Sequence, residues 1–243
     1  MAATTPPPGD DTAHLAAELD TVEQAIRNPA TLPGQLPDLG PRQQVAYRTL
    51  AARPDLVNSV VSAVSPALRP AVKANIEAGV ELRALTRPVT SLPAWRIVSP
   101  PPAEELLGHF RQAEAEFGVA WQFLAAIHLV ETRMGRIRGT SPAGAQGPMQ
   151  FLPATWARYG RGDINDPGDA ILAAGRYLQA HGAPENMAGA LYAYNPSRRY
   201  VRAITLYASQ MIAVDRAYLG YYHWQVYVRT TSGDVLLEEG YGG

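Results

Sequence analysis

The sequence predicts a mainly α-helical protein that closes on a small β-hairpin. Three observations predict this. Apolar residues recur at helical spacing through most of the chain, prolines and glycines fall between those stretches, and strict alternation of apolar and polar residues appears only from Trp224 onward. The 243 residues suffice for one large domain or two modest ones.

Composition narrows the function classes. Apolar residues make up 47% of the chain but are spread along it, and no window approaches the roughly 20 uninterrupted apolar residues of a membrane-spanning helix. A soluble globular protein without a transmembrane segment is expected. The net charge of −1 and the lack of long like-charge runs point away from a nucleic-acid partner. No cysteine is present, which excludes disulfides and thiolate metal sites. No His/Asp/Glu cluster has ligand spacing, so neither metal nor cofactor is expected. The opening MAATTPPPGDD has no basic n-region and no apolar h-region, so it does not read as a secretory signal.

In chain order, residues 1–10 are Pro/Thr-rich and read as a disordered tail. Residues 11–87 form an N-terminal helical region. Its first helix carries Leu15, Leu19, Val22 and Ile26 as one buried stripe and stops at Asn28-Pro29. The stretch Pro33 to Pro41 reads as broken, and helix resumes from Arg42 to about Leu85, punctuated by Pro54, Pro66 and Pro70. This region shows no chemistry and is expected to supply stability or docking. Residues 88–102 read as a proline-framed linker with one short strand at Trp95–Val98, and the domain boundary is placed there.

Residues 103–243 form the second domain. Ala103–Phe117 is a helix closed by Gly118. Val119–Met134 carries Phe123, Ile127, Val130 and Met134 on one face. Asp166-Pro167-Gly168-Asp169 opens a helix, with Asp166 as N-cap and Asp169 placed to bond back to it. Tyr200, Ile204, Tyr207, Met211, Val214 and Tyr218 predict one long helix. Trp224, Val226 and Val228, the turn Thr230–Asp234, and Val235–Leu237 predict the hairpin, which is available to pair with the Trp95–Val98 strand.

Glu131 is the first residue to suggest chemistry. It follows Leu124, Ile127 and His128 by seven, four and three positions, which places it at the margin of a buried helix face. A carboxyl there resists ionising, and its pKa rises toward that of a general acid. A surface Glu paired with Arg133, Arg136 or Arg138 is the bland alternative. The next loop, Ser141 to Trp156, sets small residues and two glycines before Met149-Gln150, so its backbone can approach a ligand closely.

Three motifs, in order, resemble the catalytic domain of the soluble lytic transglycosylase family, which is lysozyme-like and helical. Glu131-Thr132 is similar to its Glu-Ser, Ser141 to Gln150 to its Ser-x-x-Gly-Ala-x-Gly-Leu-Met-Gln loop, and Ala193-Tyr194-Asn195 to its Ala-Tyr-Asn. The resemblance spans roughly residues 103–220. It implies a mainly α, lysozyme-like catalytic domain acting on peptidoglycan glycan strands, with no metal or cofactor. Glu131 would be the catalytic residue. Ser141 and Tyr194 would orient its carboxyl, and Thr132, Gly147, Met149, Gln150 and Asn195 would belong to the sugar-binding cleft. Each also has a plain reading: Met149 and Tyr194 as core, Ser141 as a turn residue, Asn195 as a helix end before Pro196.

The departures are Thr132 for Ser, which keeps a hydroxyl, and Pro148 for Leu, which removes a backbone N–H. Arg133, Arg136 and Arg138 read as a solvated basic face. Close to Glu131 they would lower its pKa. His128 reads as a packed helix residue.

The motifs offer no second carboxylate, and Asp166 and Asp169 have capping work. A single Glu fits substrate-assisted cleavage, and the resemblance implies closure of a 1,6-anhydro ring on the muramic acid. Two rivals remain: a water-using muramidase with Asp163 as second carboxyl, and a wall-binding module without turnover. Tyr221, Tyr222, His223 and Trp224 suit sugar stacking or a hairpin core. The substrate implies a cell-envelope or secreted location.

Overall fold

A computed structural model describes residues 8–243. The expected tail thus lies outside the described residues up to position 7, and α1 (Pro8–Arg27) already begins at Pro8. Leu19, Val22 and Ile26 of its stripe are fully buried, and Leu15 is half-buried. A 3-10 turn (Pro33–Gln35) leads into α2 (Leu36–Ala52), which starts earlier than Arg42. Pro37 stands in the first turn, where its missing N–H has no helical partner to lose, and Pro41 removes only one helical bond. α3 (Pro54–Ala63) and α4 (Arg69–Leu85) follow.

The linker carries β1 (Arg96–Ile97), and α5 (Ala103–Phe117) ends at Gly118 with φ 70°. α6 (Trp121–Thr132) is the central helix, with every residue from Leu124 to Leu129 fully buried. It stops before Met134, because Arg133 (φ 52°), Met134 (φ 60°) and Gly135 (φ 84°) all turn left-handed. β2 (Ile137–Arg138), α7 (Pro153–Tyr159), α8 (Pro167–Ala180) and α9 (Met187–Tyr194) lead to α10 (Arg198–Ala213).

The long helix expected from Tyr200 to Tyr218 is two helices. Val214 is extended (φ −149°), and α11 (Ala217–Tyr222) begins after the turn. The Arg216 guanidinium in that turn donates to the carbonyls of Ile26 and Thr31, which ties the break to the end of α1.

The hairpin pairs β3 (Val226–Thr230) with β4 (Gly233–Leu237), Thr230 opposite Gly233. β1 does not join it. It pairs antiparallel with β2 instead, and its other edge exchanges bonds with Gly240 and Tyr241, just past the hairpin. Ile97 still shares a small core with Val226, Val228 and Leu237.

α5, α8 and α10 surround or flank α6, α4 packs along α10, and α2 packs against α4 and α11. One core therefore runs from Leu50 and Val72 to Leu124, Tyr200 and Met211. A buried polar knot reinforces the join. Glu23 accepts from Arg27 (2.7 Å), Gln43 (2.8 Å) and Tyr47 (2.5 Å), while Gln43 accepts from Trp224 (2.9 Å). No described helix is long and apolar enough to cross a membrane.

Candidate active site

Glu131 lies in the last turn of α6, only partly open to solvent. The Tyr200 hydroxyl, presented by the first turn of α10, donates to its Oε1 at 2.7 Å. Burial pushes the carboxyl up to about 7, and the Tyr200 hydrogen bond pulls weakly the other way. Among the described residues no other carboxyl contributes to this shift. Near neutral pH the group is therefore divided between acid and base, the condition for giving and retaking a proton.

The backbone around it is strained. Arg133, Met134 and Gln150 are the described non-glycine residues with left-handed φ, and all three flank Glu131 or end the loop from Ser141. Such conformations cost on the order of 1–3 kcal/mol each and gather at functional sites. Thr132 holds the loop to the helix. It is fully buried, donates to the Pro148 carbonyl at 2.6 Å and accepts from the Gly135 N–H at 3.2 Å. Gly147 has φ 73°, and a Cβ there would stand 2.0 Å from the Ile164 carbonyl oxygen, so only glycine fits.

The hydrogen bond to the carboxyl comes from Tyr200 and not from Ser141 or Tyr194. Ser141 Oγ accepts from the Ala145 N–H at 3.0 Å within its own turn. The Tyr194 hydroxyl donates to the Met149 carbonyl at 2.6 Å, and its ring lies near enough to feel the Glu131 charge. The Met149 side chain is fully buried in the core. Gln150 is partly exposed and donates to the Gly147 carbonyl at 3.0 Å. Asn195 ends α9 with its side chain partly exposed. Tyr200 entered the sequence reading only as one member of a helical stripe. Its partner lies 69 positions away, and no local pattern announces that pairing.

The nearby arginines do not act on the carboxyl. All three are partly buried rather than solvated. Arg133 donates to the Leu129 carbonyl (2.6 Å), Arg136 to that of Tyr222 (3.2 Å) and Arg138 to that of Asn165 (3.4 Å). His128 is fully buried edge-on to Phe110, with neither ring nitrogen hydrogen-bonded. Burial lowers its pKa to about 3, so it stays neutral. Asp163 is exposed and occupied locally: its Oδ1 accepts from the Asn165 N–H at 2.8 Å. Asp166 caps α8 by accepting from the Asp169 N–H, but Asp169 reaches the Asp163 N–H instead of bonding back. Tyr221 and Trp224 are core residues, and the Tyr222 hydroxyl donates to the Pro101 carbonyl.

A largely buried carboxyl at a helix end, opposed by a tyrosine and flanked by a glycine loop, is an arrangement able to give and retake a proton. The family model described as Transglycosylase SLT domain matches residues 108–210, the segment that holds Glu131, Tyr200 and the loop between them. Among curated relatives, the chain is similar to membrane-bound lytic murein transglycosylase F of Thiobacillus denitrificans, 36% identical over 74 residues. That stretch is 30% of this chain and spans 16% of the relative's length. No solved structure matches the chain.

Proposed function

We propose that the protein is a lytic transglycosylase that cuts the β-1,4 bond between N-acetylmuramic acid and N-acetylglucosamine in peptidoglycan, outside the cytoplasmic membrane. The observation that carries this reading is Glu131, a carboxyl held at about 7 with no second carboxyl bearing on it. Neutral Glu131 donates its proton to the glycosidic oxygen as the bond to the muramic C1 breaks. The substrate's own N-acetyl oxygen stabilises the cation at C1. The Glu131 carboxylate then takes the proton of the 6-hydroxyl, whose oxygen bonds C1 and closes the 1,6-anhydro ring. Water takes no part. Tyr200 fixes Oε1 and leaves Oε2 for this exchange. Gly147, Gln150, Tyr194 and Asn195, with the backbone held by Ser141, Thr132 and Met149, shape the cleft beside it.

Mass spectrometry of digested purified sacculi tests this directly. The released muropeptides are expected to end in 1,6-anhydromuramic acid, one water lighter than hydrolytic products. Glu131→Gln should lose on the order of 10²–10⁴-fold in rate, while Asp163→Asn cleaves nearly normally. Reducing-end products together with a dead Asp163→Asn variant would identify a water-using muramidase instead. Binding without turnover in the unaltered protein would leave only a wall-binding module.

A further inference from the structure

One cavity lies mostly outside the segment with the family match. Between α2, α4, β3 and Arg133 is a space of about 450 Å³, within the range of small-molecule sites. Five arginines line it, Arg48, Arg83, Arg87, Arg133 and Arg229, and among the described residues no Asp or Glu does. One carboxylate, that of Asp234, meets two of them, Arg48 at 2.6 Å and Arg83 at 3.4 Å. Arg229 spends its guanidinium on the carbonyls of Arg83 and Thr86. Arg87 is exposed and has no hydrogen bond or ion pair among the described residues.

Arg133 is largely withdrawn from solvent. Its one hydrogen bond goes to the Leu129 carbonyl, and among the described residues no carboxylate pairs with it. Burial, with Arg48 close by, lowers its pKa to about 10, so it keeps its charge at neutral pH. Like charges crowded at a poorly hydrated wall are unfavourable until an anion joins them. The remaining wall is aromatic, with Trp95, Tyr207, Trp224 and Tyr227. Such a lining fits a ligand with carboxylates on an aliphatic frame better than a bare inorganic anion. Arg133 and Pro142 in its wall stand two residues after Glu131 and one after Ser141, so the cavity borders the segments that carry the acid–base site.

We propose that this cavity seats the acidic peptide stem of the glycan strand, with a stem carboxylate between Arg48 and Arg133. The proposal rests on the peptidoglycan reading above. The muramic acid whose bond is cut bears the stem on its own lactyl group, so a stem site belongs within reach of Glu131. The N-terminal helices thereby read the substrate without taking part in the proton transfers.

Titration calorimetry on the full chain tests this with synthetic Ala–γ-Glu–diaminopimelate–Ala, the same peptide with its carboxylates amidated, and inorganic phosphate. The acidic peptide should bind, and the amidated peptide at least tenfold more weakly. Arg48→Gln and Arg133→Gln should each weaken binding at least tenfold. Arg87→Gln, at an exposed residue without partners, should weaken it several-fold with an unchanged melting curve, which guards against misfolding of the other two. The proposal falls if the unaltered protein does not bind the acidic peptide, binds the amidated one equally, or binds phosphate as tightly. It falls too if Arg87→Gln and Arg48→Gln both bind normally. Peptide binding needs no turnover, so failure here is separate from failure of the cleavage assay.

Discussion

At the scale of the residue, the Glu131–Tyr200 pair sets the pH behaviour. In the proposed mechanism the acid form of Glu131 begins the reaction, so kcat/KM should fall as pH rises through about 7. The Tyr200 hydroxyl donates to the carboxylate and favours its ionised form. Tyr200→Phe should therefore move the alkaline limb of the profile to higher pH as well as slow cleavage. An unmoved limb would show that the tyrosine does not tune the carboxyl. Stability follows from the same shift. The folded-state pKa lies above the ordinary value of 4.5, so the folded protein holds more protons than the unfolded one between about 4.5 and 7. Stability declines as pH rises through that window. Glu131→Gln removes the penalty and should stabilise the protein at pH 8 by on the order of 2 kcal/mol, roughly 4–8 °C in Tm, with no gain at pH 4. An equal gain at both pH values would point to a cause other than ionisation. The place of Glu131 at the margin of a buried face was legible because helical spacing is local, whereas Tyr200 becomes its partner only through the packing of α10 on α6.

At the scale of the element, the signals that were legible are those held within a few residues. The α1 stripe, Gly118 closing α5, Asp166 capping α8 and the β3–β4 turn depend only on neighbours in sequence. The break at Val214 and the pairing of β1 with β2 were not legible. The first is tied by Arg216 to α1, and the second joins segments some forty positions apart. The loop after Glu131 combines both kinds. Its glycines show in the sequence, but the buried Thr132 latch on the Pro148 carbonyl does not. Thr132→Val keeps the shape and removes that bond, leaving the Pro148 carbonyl and the Gly135 N–H unpaired. The expected cost is about 1–3 kcal/mol, with a larger loss of cleavage than of stability because the loop shifts beside the carboxyl. Thr132→Ser should recover most of both. A Thr132→Val enzyme with unaltered turnover would separate the latch from the cleft.

At the scale of the whole molecule, the composition change at residues 88–102 marks where the chain crosses over, but the packing runs on across it. α4 lies along α10, Tyr221 donates to Asn75 of α4 at 2.5 Å, and Trp224 donates to Gln43 of α2 at 2.9 Å. Removing residues 1–90 would uncover Tyr207, Tyr221 and Trp224 together and strip the latter two of buried hydrogen-bond partners. Each buried side chain of this size is worth roughly 1.5–3 kcal/mol, and a domain's whole stability is only about 5–15 kcal/mol. A chain beginning at Ser91 should therefore lack a cooperative thermal transition and bind hydrophobic dyes, even though it retains Glu131, Tyr200 and the loop. Adding residues 1–90 as a separate fragment should restore both a melting transition and cleavage, since the missing contacts are noncovalent. A truncated chain that melts cooperatively within a few degrees of the intact protein would show that the N-terminal helices only cover a self-sufficient domain. Cleavage of peptide-bearing strands by that truncated chain at the intact rate would further remove Arg48, Arg83 and Arg87 from substrate recognition.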